Sequence, residues 1–130
     1  MSAPYKSIST DQAPSAIGPY CQATVHNGTI YCSGNIPFDP KTMQTVEGGV
    51  EAQTQQAMTN LLNVIQAAGG DKSTILKTTV FIKDMNDFAK INAVYEKNLA
   101  PYKPARSAVE VARLPKDVLV EVECIATVKA

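Results

Sequence analysis

An arginine and a glutamate near the C-terminal end of the chain are the residues best suited to chemistry on a small acid. Arg106 begins an apolar run just after Lys103-Pro104, and Glu121 lies inside the next apolar run. Arginine binds a planar carboxylate through two parallel hydrogen bonds, and a nearby carboxylate can orient or deprotonate a water molecule. Together they predict a site at which water attacks a small carboxylic acid. The alternative is a structural salt bridge at a sheet surface.

Three other positions are candidates for substrate contacts. Tyr20 follows a Gly-Pro pair that would fix its phenol for donation to a carboxylate or a water. Ser33-Gly34 ends an apolar run, and glycine lets a ligand approach the backbone. Asn92 lies beside the apolar stripe of a predicted helix. The plainer interpretations are a tyrosine that packs the start of a strand, an ordinary strand end and a solvated helix position.

Composition argues against several classes of partner. The 130 residues include 12 basic and 12 acidic side chains, so the formal net charge is zero and no cationic field for nucleic acid is expected. No apolar run approaches the ~20 residues of a membrane span. The N-terminal residues carry neither an apolar signal core nor the arginines of a transit peptide. We therefore expect a cytoplasmic protein with neither a nucleic-acid nor a membrane partner.

The cysteines and the single histidine do not predict a metal or a nucleophilic site. Cys21, Cys32 and Cys124 have wide spacing that fits neither a disulfide framework nor a zinc motif, so we expect buried reduced thiols. His26 abuts the turn residues Asn27-Gly28 and is expected to be a solvated neighbour of that turn. The sequence therefore predicts no metal and no serine or cysteine nucleophile activated by histidine.

The elements that must position the candidates follow from hydrophobic periodicity. An arm or short edge strand precedes a hairpin over residues 20–33 that turns at Asn27-Gly28. Helices are predicted over residues 51–68 and 86–99, the second capped by Asn86. The remaining strands are predicted over residues 75–83, 105–112 and 118–128. Two helices cover only one face of such a sheet, so the fold class is an α+β two-layer sandwich in a single domain, residues 1–130.

The last two strands are expected to form a hairpin around Pro115. In the terminal strand Val120 and Val122 alternate with Glu121, so the valines should pack under the helices and the glutamate should point away. On the strand before it, the apolar side chains of Val109 and Val111 should pack inward, which places Arg106 on the same outer side as Glu121. The two would then be cross-strand neighbours or face each other across a subunit seam.

The outer face of this sheet is expected to be a subunit interface. It carries apolar side chains such as Leu119, Ile125 and Phe81 beside two glutamates, a mixture that suits neither a fully solvated nor a fully buried face. We therefore expect a homo-oligomer with the site near the seam. The alternative is an exposed sheet face with scattered apolar residues.

The same residues stand in motifs that resemble the RidA/YjgF family of imine and enamine deaminases. The resemblance covers nearly the whole chain. The motifs are APSAIGPYCQA, YCSGNIPFDP, VEAQTQQAMTNLLNVIQAAGG, KTTVFIKDMNDFAKINAVYE and PARSAVEVARLPKDVLVEVE. The resemblance implies a chorismate-mutase-like α+β fold with a mixed sheet, a homotrimer with sites at the subunit clefts, and no cofactor.

The resemblance also implies a reaction and roles. Members of the RidA branch hydrolyse 2-aminoacrylate and 2-iminobutanoate, released by pyridoxal-phosphate dehydratases, to 2-oxo acids and ammonia. The family arginine falls on Arg106, which should bind the substrate carboxylate, and the family glutamate on Glu121, which should position the water. The family tyrosine falls on Tyr20 and the Ser-Gly pair on Ser33-Gly34. The resemblance leaves a mitochondrial pool of the protein open.

One position departs from the family pattern. Many members have cysteine two residues after the arginine, where this chain has Ala108. We expect this position to offer its backbone to the imine nitrogen, because hydrolysis by water needs no thiol. The rival functions are a small-acid-binding regulatory module without catalysis, a translation inhibitor or ribonuclease, and a chaperone-like role. A single histidine and neutral charge argue against the ribonuclease.

Overall fold

A six-stranded mixed sheet with two helices on one face makes up the protein. The computed structural model describes residues 3–130. The strands are β1 Lys6–Ile8, β2 Ala23–His26, β3 Thr29–Asn35, β4 Ile75–Ile82, β5 Ala105–Glu110 and β6 Val120–Thr127, and the helices are α1 Gly49–Ala67 and α2 Phe88–Leu99. Short 3₁₀ turns lie at Lys72–Thr74, Met85–Asp87 and Pro115–Asp117. The predicted α+β class is confirmed. No helix within the described part of the chain is long and apolar enough to span a membrane.

The N-terminal half of the sheet follows the sequence prediction. β2 and β3 form an antiparallel hairpin whose turn residues, Asn27 and Gly28, both have positive φ, 49° and 78°. That is the conformation in which an Asn-Gly pair matches the twist of the two strands. The arm contributes β1, a short edge strand that pairs antiparallel with β2.

The C-terminal half does not follow the prediction, because β5 and β6 do not form a hairpin. The sheet order is β1-β2-β3-β6-β4-β5, so β4 lies between them. β5 pairs with β4 in parallel, and β4 pairs with β6 antiparallel. The reason is α2, which connects β4 to β5 as a crossover and thereby returns the chain in the same direction.

Both helices bury apolar stripes against the same sheet face. In α1 the stripe includes Leu61, Val64 and Ile65, all fully buried, and Gly69, with φ of 99°, follows the helix end. The start of α2 differs from the prediction. Asn86 is not a cap but lies within a 3₁₀ turn, where its N–H donates to the Asp84 carboxylate.

The alternation predicted for the terminal strand is confirmed. Val120 and Val122 are fully buried beneath the helices, whereas Glu121 between them points to the opposite, open face. Val118 is also buried but packs in a second, smaller cluster with Phe38 and Leu114 rather than under the helices. This cluster supports the loop after β3 and the turn before β6.

The orientation predicted for β5 is wrong. Arg106 is the Cα partner of Thr78 on β4, and both side chains reach α2: Thr78 bonds to Tyr95 and Arg106 bonds to Asn92. Arg106 therefore lies on the helix side of the sheet, and Val109 lies on the open face with 42% of its surface exposed. β5 is an edge strand, so its polar residues reach solvent beside α2 instead of entering the core.

The three cysteines are free thiols, as predicted. Cys32 and Cys124 are buried Cα partners on β3 and β6, while Cys21 is only half-buried. Burial and the adjacent Cys32 thiol raise the pKa of Cys124, with the thiol–thiol contact the larger cause. A buried thiol with a raised pKa, such as that of Cys124, is a poor nucleophile.

Candidate active site

The carboxylate of Glu121 lies directly over the backbone of Gly34. A Cβ atom at Gly34 would overlap Oε2 of Glu121 and would lie 2.8 Å from its Cδ. Only glycine leaves room for that carboxylate. The two residues are part of one surface recess on the open side of the sheet, here called the glutamate recess, whose lining residues are Ile17, Tyr20, Ser33, Gly34, Ile36, Pro115 and Glu121.

An irregularity in β3 creates this arrangement. The ladder between β3 and β6 runs to Cys32 opposite Cys124 and resumes at Asn35 opposite Val122, so β3 holds one extra residue between the two pairs. This is a β-bulge, a feature that re-aims side chains and is frequent beside active sites. The bulge contains Ser33-Gly34, the pair that the sequence marked as a candidate.

Glu121 has a perturbed proton affinity. Burial raises the pKa of its carboxyl group above the usual value, and the negative charge of Glu123, two residues along the same strand face, raises it further. Desolvation of this kind makes a carboxylate a better base near neutral pH.

Tyr20 and Ser33, two of the candidates from the sequence, both line the glutamate recess. The Tyr20 N–H donates to the Gly18 carbonyl (2.8 Å), and its hydroxyl accepts from the Ile17 N–H (3.4 Å), which leaves the phenol proton available to donate. The Ser33 hydroxyl donates to the Cys21 carbonyl (2.7 Å), so towards a ligand it can act only as an acceptor.

A small cavity shares Tyr20, Ser33 and Gly34 with the lining of the glutamate recess. Its volume is about 30 Å³, and the buried amides of Gln22 and Asn35 are among its lining residues. A cavity above roughly 10–15 Å³ with polar partners has room for a water molecule. The geometry therefore provides space for water immediately beside the glutamate recess.

Buried amides on α1, which sequence reasoning missed, hold the walls of the recess. The fully buried Asn60 donates to the carbonyls of Ile36 (3.0 Å) and Phe38 (2.9 Å). Gln53 accepts from the Leu119 N–H (2.8 Å), two residues before Glu121. Gln53 and Asn60 are seven residues apart and so lie on one face of the helix, and polar residues on the face that should be apolar were the available signal.

Arg106 lies in a second recess, here called the arginine recess. Its lining residues are Asn92, Tyr95, Glu96, Tyr102, Lys103, Pro104 and Arg106. The guanidinium donates through Nη1 to Oδ1 of Asn92 at 2.6 Å and lies over the rings of Tyr95 and Phe88. Asn92 was predicted to contact substrate, and the structure places it against the arginine itself. Tyr95 and Phe88 were not predicted.

Ala108 lines neither recess among the residues described. It is half-buried, is the Cα partner of Val80, and lies two residues beyond Arg106 on the same strand. Its methyl group packs against the main core. The side chain is thus a packing group, and only its backbone remains for a ligand.

The two recesses do not meet within one chain. They share no lining residue, and Arg106 and Glu121 lie on opposite faces of the sheet. The prediction that they share an outer side is wrong, and cross-strand contact between them is excluded. A single chain therefore carries two separate recesses, one lined by the Arg106 guanidinium and the other by the Glu121 carboxylate with its raised pKa. Residues 3–130 contain no cluster of three or more metal-ligating side chains.

Comparison with known proteins places these residues in a characterised group. The family model described as endoribonuclease L-PSP matches residues 10–128. A RutC family protein of Synechocystis is 54% identical over 123 residues, 93% of this chain and 95% of that protein. The 2-iminobutanoate/2-iminopropanoate deaminase of Escherichia coli is 50% identical over 124 residues, 93% and 96% of the two chains. The crystal structure of E. coli TdcF with bound serine superposes with a TM-score of 0.89 at 42% identity, over 95% of this chain and 99% of that one.

Proposed function

The chain belongs to the RidA/YjgF family, the family of the endoribonuclease L-PSP model, and on that premise we propose that it is a hydrolytic deaminase of 2-imino and 2-enamino acids. The proposed substrates are 2-aminoacrylate and 2-iminobutanoate, and the products are 2-oxo acids and ammonia. The observation that carries the proposal is the pair of half-sites. One offers a guanidinium for the carboxylate that all these substrates share, and the other offers a carboxylate with a raised pKa beside space for water.

The reaction then needs only positioning and proton transfer. Arg106 binds the substrate carboxylate, and water adds to C2 of the protonated imine while Glu121 accepts a proton from that water. The C2–N bond of the resulting carbinolamine breaks as Glu121 returns the proton to the nitrogen, which leaves as ammonia. The hydroxyl group gives up its own proton to Glu121 or to solvent, and C2 becomes the carbonyl carbon of the 2-oxo acid. The enamine 2-aminoacrylate first takes a proton from solvent at C3 and so enters the same sequence as an imine. Orientation and general-base catalysis both contribute to the rate.

The half-sites have to come from different copies of the chain. We infer that Arg106, at the β5 edge of one subunit, meets Glu121 on the open sheet face of the next subunit, in line with the alternative in which the two face each other across a subunit seam. Exposed apolar residues on that face, Tyr31 at 49% and Val109 at 42%, support its burial in an assembly. Contact between unlike surfaces forms a ring if the rotation closes, and the family resemblance favours a homotrimer.

Smaller roles follow from position. Tyr20 donates its phenol proton to substrate or water at the rim, and Ser33-Gly34 lets the ligand approach the bulge. From the family resemblance rather than from its position, we propose that the backbone at Ala108 serves the imine nitrogen. The reactive substrates would come from pyridoxal-phosphate dehydratases, which release such enamines and imines.

A second candidate function is a small-acid-binding module without catalysis. The observation in its favour is that the TdcF structure holds serine, a small carboxylic acid that is not an imine. Such a module would use Arg106 in the same way but would have no need of the raised pKa of Glu121.

The test is ammonia release from freshly generated 2-aminoacrylate and 2-iminobutanoate. Wild type, Arg106→Ala and Glu121→Ala are compared, with Lys90→Ala and Glu51→Ala as controls for the loss of an exposed charge elsewhere. We expect acceleration by wild type and both controls, and its loss in the two site variants. A folded wild type that binds 2-oxobutanoate but does not accelerate hydrolysis would favour the binding module.

A further inference from the structure

The side chain of Arg106 is held in one position although it lies on an exposed edge strand. A free arginine side chain loses much conformational freedom when it is fixed. Here three contacts fix it before any ligand arrives. Asn92 accepts from Nη1 at 2.6 Å, and the guanidinium carbon lies 4.9 Å from the ring centroid of Tyr95 and 5.5 Å from that of Phe88.

The hydrogen bond to Asn92 determines which donors remain for a ligand. Guanidinium has five N–H donors in one plane. Because one N–H of Nη1 serves Asn92, four N–H donors remain, among them the pair on Nε and Nη2 that can bind a carboxylate bidentately. Asn92 thus orients the arginine, and its role differs from the substrate contact predicted from the sequence.

The Tyr95 ring is itself fixed from below. Its hydroxyl shares a hydrogen bond of 2.6 Å with the hydroxyl of Thr78, and both residues are buried, with 8% and 1% of their surfaces exposed. Thr78 is also the Cα partner of Arg106 in the parallel ladder between β4 and β5. Thr78 on β4 therefore fixes Tyr95, and the Tyr95 ring covers Arg106 on the edge strand β5.

We propose that Tyr95, held by Thr78, and Phe88 are positioning residues for Arg106. Their rings cover the guanidinium by cation–π contact and orient its remaining N–H donors towards the carboxylate of a 2-imino acid. This inference rests on the proposed function for its natural ligand. The arrangement of Tyr95, Phe88 and Asn92 around Arg106 requires only that the ligand carry a carboxylate.

The experiment separates the ring from the hydroxyl. Tyr95→Leu removes both, Tyr95→Phe and Thr78→Val remove only the buried hydrogen bond, and Phe88→Leu removes the second ring. Val64→Ala, a buried change on α1 away from both recesses, is the control for lost stability. For each protein we would measure the melting temperature, kcat and KM for 2-iminobutanoate, and the Kd of 2-oxobutanoate by calorimetry.

A positioning role predicts a specific division of the effects. Tyr95→Leu should raise KM and Kd together by about 10-fold or more, with a smaller change in kcat. The reason is that the change removes both the cation–π contact and the ordering of the Arg106 guanidinium. Tyr95→Phe and Thr78→Val should raise both by roughly 2- to 5-fold, since one hydrogen bond is lost and the ring remains. Val64→Ala should lower the melting temperature and leave KM and Kd unchanged.

Two results would overturn the inference. One is a folded Tyr95→Leu protein with the KM and Kd of the control, and if that protein does not fold, unchanged constants in both Tyr95→Phe and Thr78→Val decide against it equally. The other is a wild type that does not bind 2-oxobutanoate at all. Failure of the proposed reaction can be distinguished from failure of this inference. In that case no protein would release ammonia, but wild type would still bind 2-oxobutanoate and Tyr95→Leu would still weaken that binding.

Discussion

Arg106 and Glu121 lie on opposite faces of the same six-stranded sheet. Arg106 reaches the helix side, where Asn92 and two aromatic rings hold it, and Glu121 reaches the open side over Gly34. In one chain they form neither a salt bridge nor a shared pocket. The Glu121 carboxylate and the remaining N–H donors of Arg106 therefore stay available for other partners, and a site that needs the two together must be built from two copies of the chain.

Replacement of Arg106 by lysine should remove most of the activity. Lysine keeps the charge but cannot reproduce the planar fork or the stacking on Tyr95. Loss of one charge-assisted hydrogen bond predicts a fall in kcat/KM of about 10- to 100-fold. Steady-state ammonia release by an Arg106→Lys protein of unchanged assembly is the measurement, and near-normal turnover would contradict the carboxylate role.

A methyl group at Gly34 should disturb the chemistry more than the fold. The added Cβ would overlap the end of the Glu121 side chain, which can swing away at little cost. We expect Gly34→Ala to lower kcat while it lowers the melting temperature only slightly. In a Glu121→Ala background the same change should have no further effect on kcat. An independent loss in that background would show that Gly34 acts through some other contact.

The acid limb of the pH–rate profile should follow Glu121. Burial first, and the charge of Glu123 second, raise its pKa, so kcat/KM should fall as the pH falls through that raised pKa and the base is protonated. Glu123→Gln removes the second cause and should move the limb to lower pH. Glu51→Gln is the matched control. An acid limb that does not move in Glu123→Gln, or that moves to higher pH, would show that Glu121 is not the catalytic base.

The raised pKa also predicts a pH-dependent cost to stability. A group whose folded pKa is raised contributes its stability fully below its unfolded pKa and loses it as the pH rises through the folded pKa. Glu121→Gln should therefore be more stable than wild type at neutral pH, and the advantage should disappear well below about pH 4, where the Glu121 carboxyl group is protonated in both the folded and the unfolded chain. Thermal unfolding at the two pH values tests this. A variant less stable than wild type at neutral pH would show that the carboxylate is stabilised in the fold.

The sequence predicts the local patterns of this protein better than their arrangement. The Asn27-Gly28 turn, the helix stripes and the alternation around Glu121 are local features, and all are observed. The partner of β5 is not local. Two strands separated only by a short turn resemble a hairpin, yet the crossover through α2 had already directed β5 to the far side of β4.

The site shows the same division. Arg106, Glu121, Tyr20 and Ser33-Gly34 are identifiable by residue type and motif. The face of Arg106 was misjudged because Val109 was assumed to be core, whereas it lies exposed on the open face. The contact between Gly34 and Glu121 depends on a bulge that shifts the register by one residue, and register is not encoded in the pattern of either strand alone.

The most direct test of the account is activity restored by mixing two inactive proteins. The Arg106→Ala and Glu121→Gln proteins are each expected to be inactive. Equal amounts of the two would be mixed, dissociated and reassembled, and ammonia release from 2-iminobutanoate would then be measured. If each site takes Arg106 from one subunit and Glu121 from the next in a ring of three, every mixed trimer regains one intact site, and random mixing predicts about one quarter of the wild-type activity. Reassembled mixed trimers with no more activity than the separate variants would contradict a site shared between subunits.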